Sequence, residues 1–175
     1  MCGGDIRAAL IGWEAQFLSV LMLALLLALQ ILHVAFLALH DWVPLGRLND
    51  VRAVQKENPG AKLLIGTLIT TSLFVPPLIG GLRHVHGPWP GWVWIWLWVA
   101  YGLLFVGEIQ AWWWPYFVGT SEERVERYRV MFGGTRAFLP PRHGIRINTL
   151  HFVLHILTLV TLITLALTVH HGLGG

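Results

Sequence analysis

Four stretches of this chain are long, apolar and almost uncharged: Ala15 to Leu39, Leu63 to Leu82, Gly91 to Val118 with Glu108 inside it, and Leu150 to Val169. A helix rises 1.5 Å per residue, so about 20 residues cross the roughly 30 Å hydrocarbon core of a bilayer. Backbone polar groups find no water there, and only helices or closed barrels satisfy them internally. The alternating WVWIWLW over residues 92–98 imitates a strand, but its unbroken apolar length fits a helix better. The pattern predicts an all-α membrane protein, a four-transmembrane-helix bundle forming one membrane domain over residues 1–175. Its spans fall at approximately 12–40, 62–82, 91–117 and 148–170.

Hydrophobic residues make up 55% of the chain and charged residues only 12%, far from the balance of a soluble domain. The first stretch follows Glu14 rather than a basic segment and lacks a convincing cleavage site, so it reads as a retained helix rather than a signal peptide. A single cysteine, Cys2, excludes an intrachain disulfide and any multi-cysteine metal site. There is no Walker loop, dinucleotide-binding glycine fingerprint or HExxH, and Ser19, Ser72 and Ser121 offer no serine triad.

All Lys and Arg residues except Arg7 and Arg83 lie between the first and second stretches or between the third and fourth. The positive-inside rule then places both larger loops in the cytoplasm and both termini outside it, in a multi-pass protein of the plasma (inner) membrane. This placement also accounts for the net charge of +3 without nucleic acid. Tryptophans favour the headgroup level; Trp13, Trp89, Trp92, Trp94 and Trp96 mark the outer face, and Trp42, Trp112, Trp113 and Trp114 the inner one. In the cytoplasmic loops, TSEERVERYRVMF opens with a Thr120–Glu123 capping-box pattern, and LNDVRAVQKENPG is capped by Asn49 or Asp50. Both predict short interfacial helices. Pro76 and Pro77 should kink or interrupt the second span.

The polar residues inside the spans are ordered. Gln16, Ser19, Gln30, His33 and His40 fall within one arc of about 120° on a helical wheel, with Gln16 at its edge. Asn148, His151, His155 and Thr158 share a face of the fourth span. Glu108 sits about 10 Å above Pro115 at the cytoplasmic end of the third span, at the depth of His33 and His155. Tyr101 shares the Glu108 face, and Thr67, Thr70 and Thr71 supply hydroxyls from the second span. Polar groups in hydrocarbon are costly unless paired, so these faces should turn toward protein. A neutral Glu108 hydrogen-bonded to one histidine is the plainest arrangement.

Three functional readings follow. In the first, the protein is a binding or accessory subunit, within a bilayer and in a homo-oligomer or larger membrane complex, whose His/Glu group joins helices or holds a ligand. In the second it is a redox protein. His151 and His155, at i and i+4, would bind a divalent metal with Glu108, or His33 and His155 would ligate haem from two facing helices. In the third, Glu108, His33 and His155 are the candidate catalytic groups of an intramembrane acid–base enzyme or transporter for a lipid-like molecule, supported by Gln30, His40 and Tyr101. His84, His86, His170 and His171 read as turn and helix-end residues. RAFLPPRHGIR, which includes His143, could meet an anionic headgroup.

Overall fold

The computed structural model describes residues 3–170; Cys2 and His171 lie outside them. The described residues are helices joined by turns, without a strand; only an isolated bridge between Arg142 and Ile145 pairs extended backbone. Four helical segments are long and apolar enough to cross a membrane: Gln16–Leu39, Gly60–Arg83, Gly91–Val118 and Thr149–Val169. The first is the apolar part of α1 (Gly3–Leu39). The second is divided into α3 (Gly60–Ser72) and α4 (Val75–Arg83). The third consists of α5 (Gly91–Glu108), a π-helical turn (Ile109–Trp113) and α6 (Trp114–Val118). The fourth is α8 (Thr149–His170).

Short helices α2 (Val51–Glu57) and α7 (Glu122–Phe132) pack on each other, so both larger connections lie at the same end of the bundle. The Asp50 side chain caps α2 by accepting from the Ala53 N–H at 3.0 Å. α7 is capped by Ser121, which accepts from Arg124 N–H at 3.4 Å, rather than by Thr120 as the capping-box pattern suggested. The motif thus begins one residue later, with both Glu122 and Glu123 in the first turn, where acidic side chains suit the helix dipole.

The second span breaks where its sequence demands. Pro76 and Pro77 occupy the first turn of α4, where a missing N–H costs nothing, and α3 ends just before them. The indoles then pack differently from a simple interfacial belt. Trp89 and Trp94 are buried with ring centroids 5.2 Å apart, and Trp112 is buried too. They are core residues, while Trp92, Trp96 and Trp114 remain exposed. Glycine permits this packing: a Cβ on Gly81 would stand 3.0 Å from the Trp89 ring and 2.9 Å from Leu27 Cδ2.

In the third span, the π-helical turn has a local cause. Pro115 has no N–H to give the Ala111 carbonyl four residues earlier, and its ring crowds that position. The helix widens instead, with Trp114 N–H reaching the Ile109 carbonyl. The released Ala111 carbonyl accepts a 2.6 Å hydrogen bond from the Tyr128 hydroxyl of α7. Tyr128 also stacks on Trp112 at 4.9 Å, which ties α7 to the end of the third span.

Candidate functional site

Helices α1, α5 and α8 meet around one hydroxyl. Thr158 Oγ1 on α8 lies 2.7 Å from Glu108 Oε1 on α5, 3.3 Å from His33 Nε2 on α1, and 3.1 Å from the Leu154 carbonyl of its own helix. His33 and Thr158 are fully buried and Glu108 nearly so. Of the three residues expected at one depth, His33 and Glu108 are joined through Thr158, while neither ring nitrogen of His155 has a hydrogen-bond partner. Glu108 hydrogen-bonds to Thr158, which stands between it and His33, so no direct Glu–His bond forms.

Hydrogen counting limits what this trio can do. His33 Nδ1 lies 2.8 Å from the Leu29 carbonyl, which can only accept, so Nδ1 carries a hydrogen and Nε2 of the neutral ring presents its lone pair to Thr158. Thr158 has one hydrogen for three neighbouring acceptors. In one arrangement protonated Glu108 donates to Thr158 Oγ1, and the Thr158 hydroxyl donates to His33 Nε2. In the other, Thr158 donates to the Glu108 carboxylate, and Nε2–H of the His33 imidazolium donates to Thr158 Oγ1. Moving one proton from Glu108 to Thr158 while Thr158 passes its own to His33 interconverts them. The hydroxyl is the one atom in contact with both side chains.

Aromatic rings hold the histidine. Tyr101 meets the His33 ring edge-on at 4.8 Å, and Phe74 stacks at 6.4 Å. Tyr101 thus supports His33 by packing; its buried hydroxyl has no hydrogen-bond partner. Gln30, also buried, donates to the Leu26 carbonyl of its own helix at 3.3 Å. Gln16 departs from the rest of the stripe: it is exposed.

Beside the trio lies a cavity of about 330 Å³. Leu73, Phe74, Leu103, Leu104, Ala111, Trp112 and Leu154 supply most of its wall, and Glu108, His151 and His155 supply its titratable groups. Glu108 Oε2 and both ring nitrogens of His155 are buried without a hydrogen-bond partner. Such groups cost about 1–3 kcal/mol each when left unpaired. Thr70, Leu103 and Gly107 on the rim are exposed, so the cavity opens sideways through the apolar surface between α3 and α5.

His151 and Thr70 also line a second cavity of about 420 Å³, together with His40, Asp41, Asn58 and Lys62. His151 Nδ1 donates to Asn148 Oδ1 at 2.7 Å; that oxygen also accepts from the His151 backbone N–H, which fixes the amide orientation. His40 Nδ1 donates to the Phe36 carbonyl at 3.0 Å, and its Nε2 lies 3.3 Å from Asp41 Oδ1. Burial pushes the Asp41 carboxyl above its ordinary range, against the opposing pull of His40. His40 therefore belongs to this more polar compartment rather than to the trio.

Among the described residues, no three His, Cys, Asp or Glu side chains are grouped to hold a metal ion. His33 does not line the cavity that His155 lines, and its Nε2 is engaged by Thr158. The geometry lends no support to haem or metal ligation. Among the outlying histidines, His84 Nδ1 donates to the Gly80 carbonyl at the end of α4 and His86 is exposed. His143 adopts a φ of 48° in the turn closed by Arg142 and Ile145.

Sequence reasoning placed Thr158 on the right face without giving it a role, and it passed over the buried threonines that follow, Thr161, Thr164 and Thr168. Their hydroxyls donate to carbonyls four residues earlier, at 2.8, 2.8 and 2.7 Å. The legible signal was the recurrence of threonine along α8; Thr158 lies about 4.5 Å beyond His155, which could have aligned it with Glu108. Comparison with known protein families, curated proteins and solved structures found no match to this chain.

Proposed function

We propose that this chain is an integral membrane protein, with the α2 and α7 loops in the cytoplasm, that binds a small amphiphile in the cavity between α3 and its junction with α4, α5 with its π-helical turn, and α8. The observation that carries the reading is the pairing of an apolar, laterally open wall with three buried, unpaired polar atoms, Glu108 Oε2 and the two nitrogens of His155. An apolar ligand body would lie against Leu73, Phe74, Leu103 and Leu104, while a hydroxyl or carboxyl head bonded to Glu108 and His155. A hydrocarbon without a head leaves those atoms unpaired.

That difference provides the test. Decanol, decanoic acid and decane are added in turn to protein in a mild detergent, and the thermal unfolding midpoint is followed. Decanol or decanoic acid should raise the midpoint, whereas decane should raise it far less. Glu108→Leu combined with His155→Leu should erase the preference. Equal stabilisation by all three compounds, or by none, would sink the proposal.

The Thr158 contacts favour a second activity at this site, proton exchange with the bound head through Glu108 and His33. Infrared difference spectra should show a Glu108 carboxyl band that changes when ligand binds, is lost in Glu108→Gln and is shifted in Thr158→Val. A carboxyl spectrum unchanged by ligand would exclude this activity.

A further inference from the structure

At the end of the bundle where α1 finishes and α8 begins, a cavity of about 680 Å³ is lined by Arg47, Arg136 and Arg146, with Thr135, Phe138 and Thr149 among its other walls. Arg47 comes from the 3-10 turn after α1, and the other two arginines from the connection between α7 and α8. Backbone hydrogen bonds fasten these distant segments together. Arg136 N–H donates to the Arg47 carbonyl at 2.7 Å, and Thr149 N–H donates to the Arg136 carbonyl at 2.8 Å. Arg146 Nη1 donates to the carbonyl of Gly133, another residue of the lining, at 3.2 Å.

No Asp or Glu lines this cavity. The ion pairs among the described residues are His40–Asp41 and Arg129–Glu126, so none of the three arginines is paired. Keeping positive charge on one side of a membrane requires only that arginines lie in the loops. It does not require that two segments be fastened so that three arginines, Arg47 and Arg136 exposed and Arg146 half-buried, line one space.

We propose that Arg47, Arg136 and Arg146 form a binding site for a phosphate group. Guanidinium forks match phosphate oxygens two at a time, and a phosphomonoester offers three terminal oxygens and close to two negative charges. A carboxylate engages one fork and leaves the others unmatched. Phe138, 70% exposed on the rim, offers an apolar contact beside the charged space. The phosphate comes from a lipid headgroup or from a soluble molecule.

The test titrates the full-length protein in a non-ionic detergent with inorganic phosphate and, separately, with dihexanoyl phosphatidic acid. Saturable binding of either supports the site: phosphatidic acid alone identifies a lipid source, phosphate alone a soluble one, and both together recognition of the phosphoryl group itself. Arg136→Gln should weaken binding about tenfold, the loss expected for a charge-assisted hydrogen-bonding partner. The triple change Arg47→Gln, Arg136→Gln, Arg146→Gln should abolish it. Arg124→Gln with Arg127→Gln, which removes charge from the exposed face of α7, should leave binding within about twofold. If the triple variant loses its helical circular dichroism, Arg136→Gln decides alone. No saturable binding of either probe, or equal weakening by the α7 pair and the cavity arginines, would overturn the proposal.

Discussion

Thr158 links α8 to both α1 and α5, and its hydroxyl can be removed with little change of shape. Thr158→Val leaves Glu108 Oε1 and His33 Nε2 facing a methyl group. Hydrogen bonds between membrane helices are individually modest, so a loss of about 1–2 kcal/mol is expected from reversible unfolding in mixed micelles. Thr158→Ser, which restores the hydroxyl, should recover most of it. Tyr128 gives a second test at this scale. Burial pushes its phenol above the ordinary range, although Arg124 and Arg127 pull the other way. A folded-state pKa above the unfolded value near 10 means that the folded chain holds its proton more tightly. The resulting stabilisation is complete below about pH 10 and is lost as pH rises toward the folded value. Trypsin cleavage within α7 should therefore accelerate above about pH 10 in the wild type. Tyr128→Phe, which leaves the Ala111 carbonyl without its donor, should cleave faster at neutral pH and show a much weaker rise.

Local rules account for most elements. Pro76 and Pro77 divided the second span, Asp50 capped α2, and the acidic start of α7 marked its first turn, because each effect acts within a few residues of its cause. The π-helical turn was harder to read. Pro115 signals a lost hydrogen bond, but whether a helix kinks, breaks or widens depends on what receives the freed carbonyl, and Tyr128 is 17 residues away on another helix. The tryptophans show the same limit. Residue type suggested an interfacial belt, yet Trp89, in the connection after α4, enters the core because Gly81 on α4 leaves room for its ring. Gly81→Val should drive a side chain into Trp89 and Leu27 and cost about 1–3 kcal/mol, seen as a lower thermal midpoint. The same substitution at Gly66, where no atom lies within 4 Å of an added Cβ, should leave the midpoint nearly unchanged.

For the whole molecule, apolar length was enough to anticipate four helices able to cross a membrane, and residue count put His33 and Glu108 at the level where Thr158 joins them. Depth along each helix follows from residue count, but the order of helices around the bundle does not. The sequence therefore suggested a histidine pair where α8 instead inserts a hydroxyl. The fold places the α2 and α7 connections at one end. Single cysteines at Arg52 and Arg127, in a chain whose Cys2 is replaced by Ser, should accordingly react with an impermeant thiol reagent from the same side of sealed vesicles, and one at His86 from the other. Labelling of Arg52 and Arg127 positions from opposite sides would contradict an inserted bundle of this topology. The measurement closest to the proposed function is native mass spectrometry of protein released from its membrane in mild detergent, comparing the wild type with Gly107→Leu. Gly107 lines the Glu108 cavity and has no atom within 4 Å of an added Cβ, so leucine there can obstruct the cavity without disturbing Glu108, Thr158 or His155. A bound amphiphile near one per chain in the wild type, and its loss in Gly107→Leu, is the expected result. A wild type without bound amphiphile, or a variant that retains it unchanged, would contradict the assignment of this cavity as the binding site.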